Sequence, residues 1–409
     1  MLRGNAIVGQ SGGPTSVINS SLAGVYKAAL DGGCRRVYGM KNGIEGLLSE
    51  RWVDLSDYVR SDLDIELLKR TPSSFLGTCR YKLPPLDESP EVYERLFATL
   101  DKLGVEYFFY IGGNDSMDTV MRLSDYAAKT GSDIRFMGVP KTIDNDLDCT
   151  DHTPGYGSAA KYIATAMKEI IRDAKTYPTS SVTVVEIMGR NAGWLTAAAS
   201  LSRSEDCGGP DLIYLPERTF DHSRFLEQVE RARRERGRIT VAVSEGVRTA
   251  DGKYVCEANR KTTVTDSFGH KLLGGTALYL SDFLSENIGA KTRGIVLSTL
   301  QRCASHLVSR RDITEAYMAG ADAAAHALAG ESGRMVVFER ISDAPYSMIS
   351  GVRDIRDIAN REKRIPDGWI TDDGVGVRPI FDSYARPLII GELSPFMVDG
   401  LPRHLFIDE

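Results

Sequence analysis

The chain has no apolar run approaching the roughly 20 residues of a bilayer-spanning helix, so no membrane span is expected. Its six cysteines, at 34, 79, 149, 207, 256 and 303, form no C-x-x-C pair and no metal-like spacing. That argues against a disulfide framework or zinc site and for free thiols in a reducing cytoplasm. Positive charge is not in excess: the formal net charge of −6 gives nucleic-acid backbones little to bind, although local cationic pockets stay open. Histidines 152, 222, 270, 306, 326 and 404 make no H-E-x-x-H or other ligand pattern and read as structural or surface residues. Neither a Walker A sequence nor G-x-G-x-x-G is present, so the familiar nucleotide fingerprints do not apply. Met1 to Asn5 run almost directly into a strand, so no signal peptide is expected.

What is there is an ordinary soluble composition, 42% hydrophobic and 26% charged, over 409 residues. That length calls for two domains or one large interlaced unit. Strand and helix patterns alternate. Ala6 to Val8 reads as a strand and Val17 to Leu30 as a helix closed by Gly32-Gly33; Arg36 to Met40 returns as a strand. A proline- and acid-rich loop precedes a helix over Glu91 to Leu103; Tyr107 to Ile111 then reads as a strand, followed by a helix through Ala128 and a strand over Arg135 to Val139. The second half repeats the rhythm: strands at Ser181 to Ile187, Leu212 to Leu215, Ile239 to Val243, Gly294 to Leu297 and Met335 to Phe338. Helices are expected over Trp194 to Leu201, Phe225 to Arg236 and Ile313 to Leu328. The Arg/Glu run of the second of these reads as a solvated face. No strict repeat or low-complexity linker interrupts the pattern. Such alternation implies an α/β protein with mainly parallel sheets and helices on both faces.

The polar motifs share one location, the C-terminal ends of strands, where open α/β sheets bind ligands. Pro140-Lys141-Thr142-Ile143-Asp144-Asn145-Asp146 supplies a cation, a hydroxyl, two acids and an amide. It reads as a catalytic carboxylate beside a cation, or more plainly as a solvated turn with a capping Asp. Ser11-Gly12-Gly13 and Gly112-Gly113-Asn114-Asp115-Ser116 each place two glycines before a helix, where backbone N–H groups can meet an anion; the bland alternative is a tight turn with an N-cap. Met188-Gly189-Arg190 and Ser244-Glu245-Gly246 bring an arginine suited to a sugar phosphate and an acid suited to hydroxyls, or a structural ion pair. Arg80, Arg293 and Arg302 are further cations for a polyanionic ligand.

Taken together, in chain order and at these spacings, these five motifs resemble the phosphofructokinase family, from Ala6 to about Arg311. The resemblance implies two Rossmann-like three-layer α/β domains with mainly parallel sheets. Residues 1–150, completed by a segment after about 303, would bind the phosphoryl donor and 151–302 the sugar phosphate. Residues 312–409 would form a C-terminal extension packing on both. It implies that Asp144 takes the proton from the 1-hydroxyl of fructose 6-phosphate, with Thr142 and Asp146 as loop partners. Ile143, Met188, Gly189, Arg190, Glu245, Thr299 and Arg302 would contact the sugar phosphate, Arg302 at its 6-phosphate. Arg293 would reach it from a neighbouring subunit of a homodimer or homotetramer. Gly12, Gly13, Arg80 and Gly113 would contact the donor.

Asp115 and Lys141 stand where ATP-using members carry glycines, so the sequence resembles the diphosphate-dependent branch. A carboxylate at 115 would repel the α-phosphate of ATP, and a lysine at 141 can stabilise charge on the phosphate transferred or released. An ATP-dependent sugar-phosphate kinase and a non-catalytic sugar-phosphate binder are the alternatives; the intact Thr142, Asp144 and Asp146 speak against the binder. Asn114 occupies the family's usual Mg²⁺-linked aspartate position, so Asn114 and Asp115 are the candidate metal contacts, with diphosphate and water holding much of the ion. Thr299 replaces a usual histidine or tyrosine, and Ser181 an arginine that reaches the neighbour's substrate. Ala23 replaces an effector-binding arginine, so control by ADP or phosphoenolpyruvate is not expected.

Overall fold

The computed structural model describes residues 3–259 and 273–407, so His270 lies outside the described residues. Strands β1 (Asn5–Gln10), β2 (Val37–Met40), β3 (Trp52–Asp54), β4 (Val105–Gly112) and β5 (Arg135–Pro140) come first. They are followed by β6 (Ser181–Ile187), β7 (Leu212–Tyr214), β8 (Arg238–Ser244) and β9 (Lys291–Val296). A long hairpin, β10 (Arg334–Asp343) with β11 (Tyr346–Asp354), completes the main sheets. By contact the chain divides into two compact units, one of Met1–Ser158, Arg302–Glu362 and Ile390–Glu409, the other of Ala159–Gln301 and Lys363–Ile389.

The first unit is a seven-stranded sheet in the order β11-β10-β5-β4-β1-β2-β3. Its centre is parallel, and only the two edges, β3 on β2 and β11 on β10, run antiparallel. The pleat sends successive side chains to opposite faces. Tyr107, Phe109 and Ile111 therefore pack with Ile18, Leu22, Ala319 and Ala323 from the helices Ile18–Asp31 and Arg310–Leu328. Phe108 and Tyr110 pack on the other face with Tyr93, Phe97, Met117 and Val120 from the helices Pro90–Lys102 and Asn114–Thr130. Two apolar faces on one sheet give three layers. Full burial of each large side chain contributes on the order of 1.5–3 kcal/mol before entropy is counted.

The second unit is a four-stranded sheet, β7-β8-β6-β9, parallel throughout. Val182, Val184, Val241 and Val243 face the helices His222–Arg236 and Thr276–Ile288 through Phe225, Val229, Leu280 and Leu284.

Several elements depart from the sequence pattern, among them the helices Asp62–Arg70 and Thr276–Ile288, which the sequence reading did not contain. Trp194 to Leu201 is not one helix: an α-turn, Trp194–Ala197, passes into a 3₁₀ segment, Ala198–Ser202. Both are buried on every side, so packing rather than propensity sets their winding. The long helix Tyr156–Ala174 and the antiparallel strand β11 have no counterpart in the sequence reading.

Parallel register decides where the polar motifs go. Gln10 pairs with Ile111 and Gly112 with Pro140. The turns after β1, β4 and β5 thus leave the same edge of adjacent strands. In the second sheet Ile187 pairs with Ser244, which sets Met188 beside Glu245.

Candidate active site

In the first unit the turn after β1 depends on backbone freedom at Gly12, where φ is +75° and the N–H donates to the Cys79 carbonyl at 3.1 Å. The Lys141 ammonium lies under this turn. It is 2% exposed and donates to the Gly13 carbonyl at 2.6 Å. A Cβ at residue 12 would sit 3.4 Å from Nζ of Lys141, and one at residue 13 would sit 3.3 Å from Nη1 of Arg302. Burial pushes the Lys141 amine down to about 8; nearby Asp144 and Asp146 oppose the shift, while Arg80 and Arg302 add to it. Lys141, Arg80 and Arg302 are therefore gathered on one glycine turn, and Nε of Arg302 is buried with no hydrogen-bond partner.

The loop from Lys141 to Asp146 is held by main-chain bonds. The N–H of Lys141 prolongs the β4–β5 pairing by donating to the Gly112 carbonyl at 3.0 Å. The Thr142 N–H donates to Pro154 O at 3.2 Å, and the Thr153 hydroxyl donates to Thr142 O at 3.0 Å. Asn145, in the left-handed region at φ +55°, is fully buried and accepts the Thr153 N–H at 3.1 Å. Between these anchors the Asp144 N–H donates to the Thr142 hydroxyl at 3.1 Å, leaving Asp144 half-buried, while Ile143 packs inward. Burial first, then Asp144 and Glu362, push the Asp146 carboxyl above its usual range, and its Oδ1 has no hydrogen-bond partner.

At the third turn a side chain on Gly112 would collide with the Ser116 hydroxyl, so glycine is required there. Gly113 makes no such demand: an added Cβ would meet Lys141 O at an ordinary 3.6 Å. The Asn114 side chain is committed to the chain's later segment, accepting the Asn360 N–H at 2.5 Å and donating to Arg361 O. Asp115, in the first turn of the helix Asn114–Thr130, is half-buried and its carboxylate has no protein partner among the described residues.

In the second unit Gly189 adopts φ +134°, a conformation open to glycine. Its N–H faces Oε1 of Glu245 at 3.4 Å and its carbonyl accepts the Ser244 hydroxyl at 2.5 Å. Gly246 lies so close to the Arg190 carbonyl that a Cβ would overlap it. The Met188 N–H donates to Oε1 of Gln301 at 3.0 Å, and Nε of Arg190 is buried without a partner. Met188, Gly189, Arg190 and Glu245 are thus brought together. Arg293 is not among them: it pairs with Thr183, four residues or about 13 Å short of the end of β6. It is exposed and bonded to Asp173 at 3.0 Å. Thr299 is exposed on the 3₁₀ turn Ser298–Arg302.

Thr153, Gln301 and Glu362 are site neighbours with no signal in the sequence: Gln301 and Glu362 act on residues far away along the chain, and Thr153 acts on Thr142 and Asn145 through a loop of no regular pattern. Among the described residues no cluster of three or more His, Cys, Asp or Glu side chains could hold a metal by itself.

Glycine turns, clustered cations and acids at the C-terminal ends of parallel strands define an α/β phosphotransferase. The chain belongs to the phosphofructokinase family, whose model, described as Phosphofructokinase, matches residues 5–327. It is 40% identical to a pyrophosphate–fructose 6-phosphate 1-phosphotransferase of Halomonas elongata over 98% of this chain and 96% of that one. A protein of the same description from Methylococcus capsulatus is also 40% identical, over 98% and 95% of the two chains. The crystal structure of a pyrophosphate-dependent phosphofructokinase from Nitrosospira multiformis superposes with a TM-score of 0.88 at 39% identity, covering 98% of this chain and 95% of that one.

Proposed function

We propose that the protein catalyses reversible phosphoryl transfer from diphosphate to O1 of fructose 6-phosphate, giving fructose 1,6-bisphosphate and phosphate. The observation that carries this reading is the buried Lys141 ammonium, set under the Gly12–Gly13 turn with Arg80 and Arg302 near it. A short polyanion suits that cluster, and Asp115 on the neighbouring turn disfavours the longer phosphate chain of a nucleotide. The first unit binds the donor and the second the sugar phosphate.

Asp144 accepts the O1 proton as O1 attacks the terminal phosphorus. The O1–P bond forms while the bond from that phosphorus to the bridging oxygen breaks, and phosphate departs with the electron pair. Lys141 and Arg80 oppose the negative charge on the donor and the departing phosphate, and Arg302 beside them takes the 6-phosphate of the sugar. Thr142, Ile143 and Asp146 shape the loop around Asp144. Met188, Gly189, Arg190 and Glu245 hold the sugar phosphate, with Thr299 at its margin and Arg293 supplied by a second subunit of a homodimer or homotetramer.

Mg²⁺ fits this donor set, because it keeps much of its water and takes one or two carboxylates together with substrate phosphates. Asp115, whose carboxylate has no protein partner among the described residues, is the residue to hold it; the Asn114 amide is already bonded at both ends. When bound, the ion would neutralise donor charge. Six free thiols suit the reducing cytoplasm as the site of action. No described helix is long and apolar enough to cross a membrane.

Reversibility gives the test. Fructose 1,6-bisphosphate incubated with inorganic phosphate and Mg²⁺ should yield diphosphate and fructose 6-phosphate. No diphosphate under conditions where fructose 6-phosphate appears would refute the assignment.

A further inference from the structure

Behind the base loop lies a buried ionic cluster that the reaction itself does not use. The His152 ring is 2% exposed and held at both nitrogens, Nδ1 2.8 Å from Oδ2 of Asp151 and Nε2 2.8 Å from Oε2 of Glu315. Burial alone would lower its pKa, but the two carboxylates outweigh that and hold it above its usual value. The geometry makes the same point: a neutral ring would turn a lone pair toward a carboxylate oxygen at 2.8 Å.

Other charged and titratable groups face the cluster from each neighbouring element. From β10, Arg340 donates to Asp151 at 2.9 Å and to Asp343 at 2.8 Å. From β11, the Tyr346 hydroxyl donates to Oε1 of Glu315 at 2.9 Å. From the helix Arg310–Leu328, Arg311 lies 4.0 Å from Glu315 and over the Tyr346 ring, and Asp312 accepts the Gly155 and Ser158 N–H groups at 2.9 and 2.8 Å.

The segment 150–155 therefore has one side fixed to this cluster and to β10, where the Asp151 N–H donates to Phe338 O and the Phe338 N–H to the Thr150 hydroxyl, both at 2.9 Å. Its other side is the support of the base loop, through Thr153 on Thr142 and Asn145 and Pro154 on Thr142. We propose that His152 is a positioning residue for phosphoryl transfer: its ring ties the 150–155 segment to Asp151 and Glu315, and that segment holds Thr142 and Asn145 on either side of Asp144. This rests on Asp144 being the base.

The position of Asp144 along the path of proton transfer matters more than its distance from bound substrate, so the effect belongs in kcat. In His152→Gln of the full chain, assayed with diphosphate, fructose 6-phosphate and Mg²⁺, kcat per folded molecule should fall about 10- to 100-fold, with both KM values within about twofold of wild type. Adding Glu315→Gln lets two amides pair where an imidazolium met a carboxylate, and should restore part of the lost kcat. Unchanged kcat in His152→Gln, a loss confined to KM, or a loss fully explained by fewer folded molecules would each overturn the proposal. If His152→Gln does not fold, Thr153→Val decides: it leaves the ionic cluster intact and cuts the bond to Thr142, so kcat should fall with KM preserved, and an unchanged kcat overturns the idea. Asp144→Asn in the same assay separates the two claims. If it keeps full kcat, the base assignment fails; if it loses kcat while His152→Gln does not, only the positioning role fails.

Discussion

The Lys141 ammonium donates to the Gly13 carbonyl at 2.6 Å, joining the loop after β5 to the turn after β1 across the intervening strand β4. One of its three hydrogens is used by this bond, which leaves two for phosphate oxygens. The contact fixes the charge under a glycine turn whose backbone a polyanion can approach. It also removes the amine from water, which is why its proton is held less tightly than that of an exposed lysine.

This gives a pH dependence with a definite sign. The Lys141 amine is charged below about pH 8 and loses its proton above it. The ratio of kcat/KM for diphosphate in wild type to that in Lys141→Arg should therefore decline as pH rises through about 8, because the guanidinium stays charged. Taking the ratio cancels the titration of diphosphate itself. A ratio that is flat between pH 7 and 9.5 would remove Lys141 as the charge that matters.

Asp144→Asn keeps size and hydrogen bonding but cannot take a proton. General-base assistance is worth about 10²–10⁴-fold, so kcat should fall by that order. KM for fructose 6-phosphate should change little. Near-normal turnover would take Asp144 out of the role.

The parallel sheets were legible because the inner strands are short, β-branched or aromatic runs bounded by glycine turns, as at Tyr107 to Ile111 and Ser181 to Ile187. The antiparallel edges were not. Strand β11 alternates exposed and half-buried residues, as in Ser347, Met348 and Ile349, and its place is set by pairing with β10 rather than by its own apolar content. The helix Tyr156–Ala174 begins straight after Thr153-Pro154-Gly155, whose N–H groups and hydroxyl serve the base loop and Asp312, so no ordinary cap marks its start. Polar motifs at strand ends were visible as chemistry. What joins them, such as Gln301 on Met188 or Asn360 on Asn114, spans from 113 to 246 residues and leaves no local pattern.

Arg293 stands about 13 Å short of the loop end of its neighbour strand and on the exposed edge strand of its sheet, so the proposed role requires another subunit's site. Arg293→Ala should raise KM for fructose 6-phosphate by the loss of a charge-assisted contact worth about 1.5–3 kcal/mol. Mixed with Asp144→Asn protein under exchange conditions, it should regain activity through hybrid oligomers. A fully active monomer in sedimentation and assay would contradict this.

Donor choice tests the account at its centre. Removing the carboxylate at 115 should admit the α-phosphate of ATP, so Asp115→Gly should raise the ATP rate and weaken turnover of diphosphate. The decisive measurement is kcat/KM of the unmodified protein for diphosphate and for ATP, each with Mg²⁺ and saturating fructose 6-phosphate. The account predicts that diphosphate is preferred by on the order of 10²-fold or more, close to 3 kcal/mol of discrimination. Equal use of the two donors, or a preference for ATP, would contradict it.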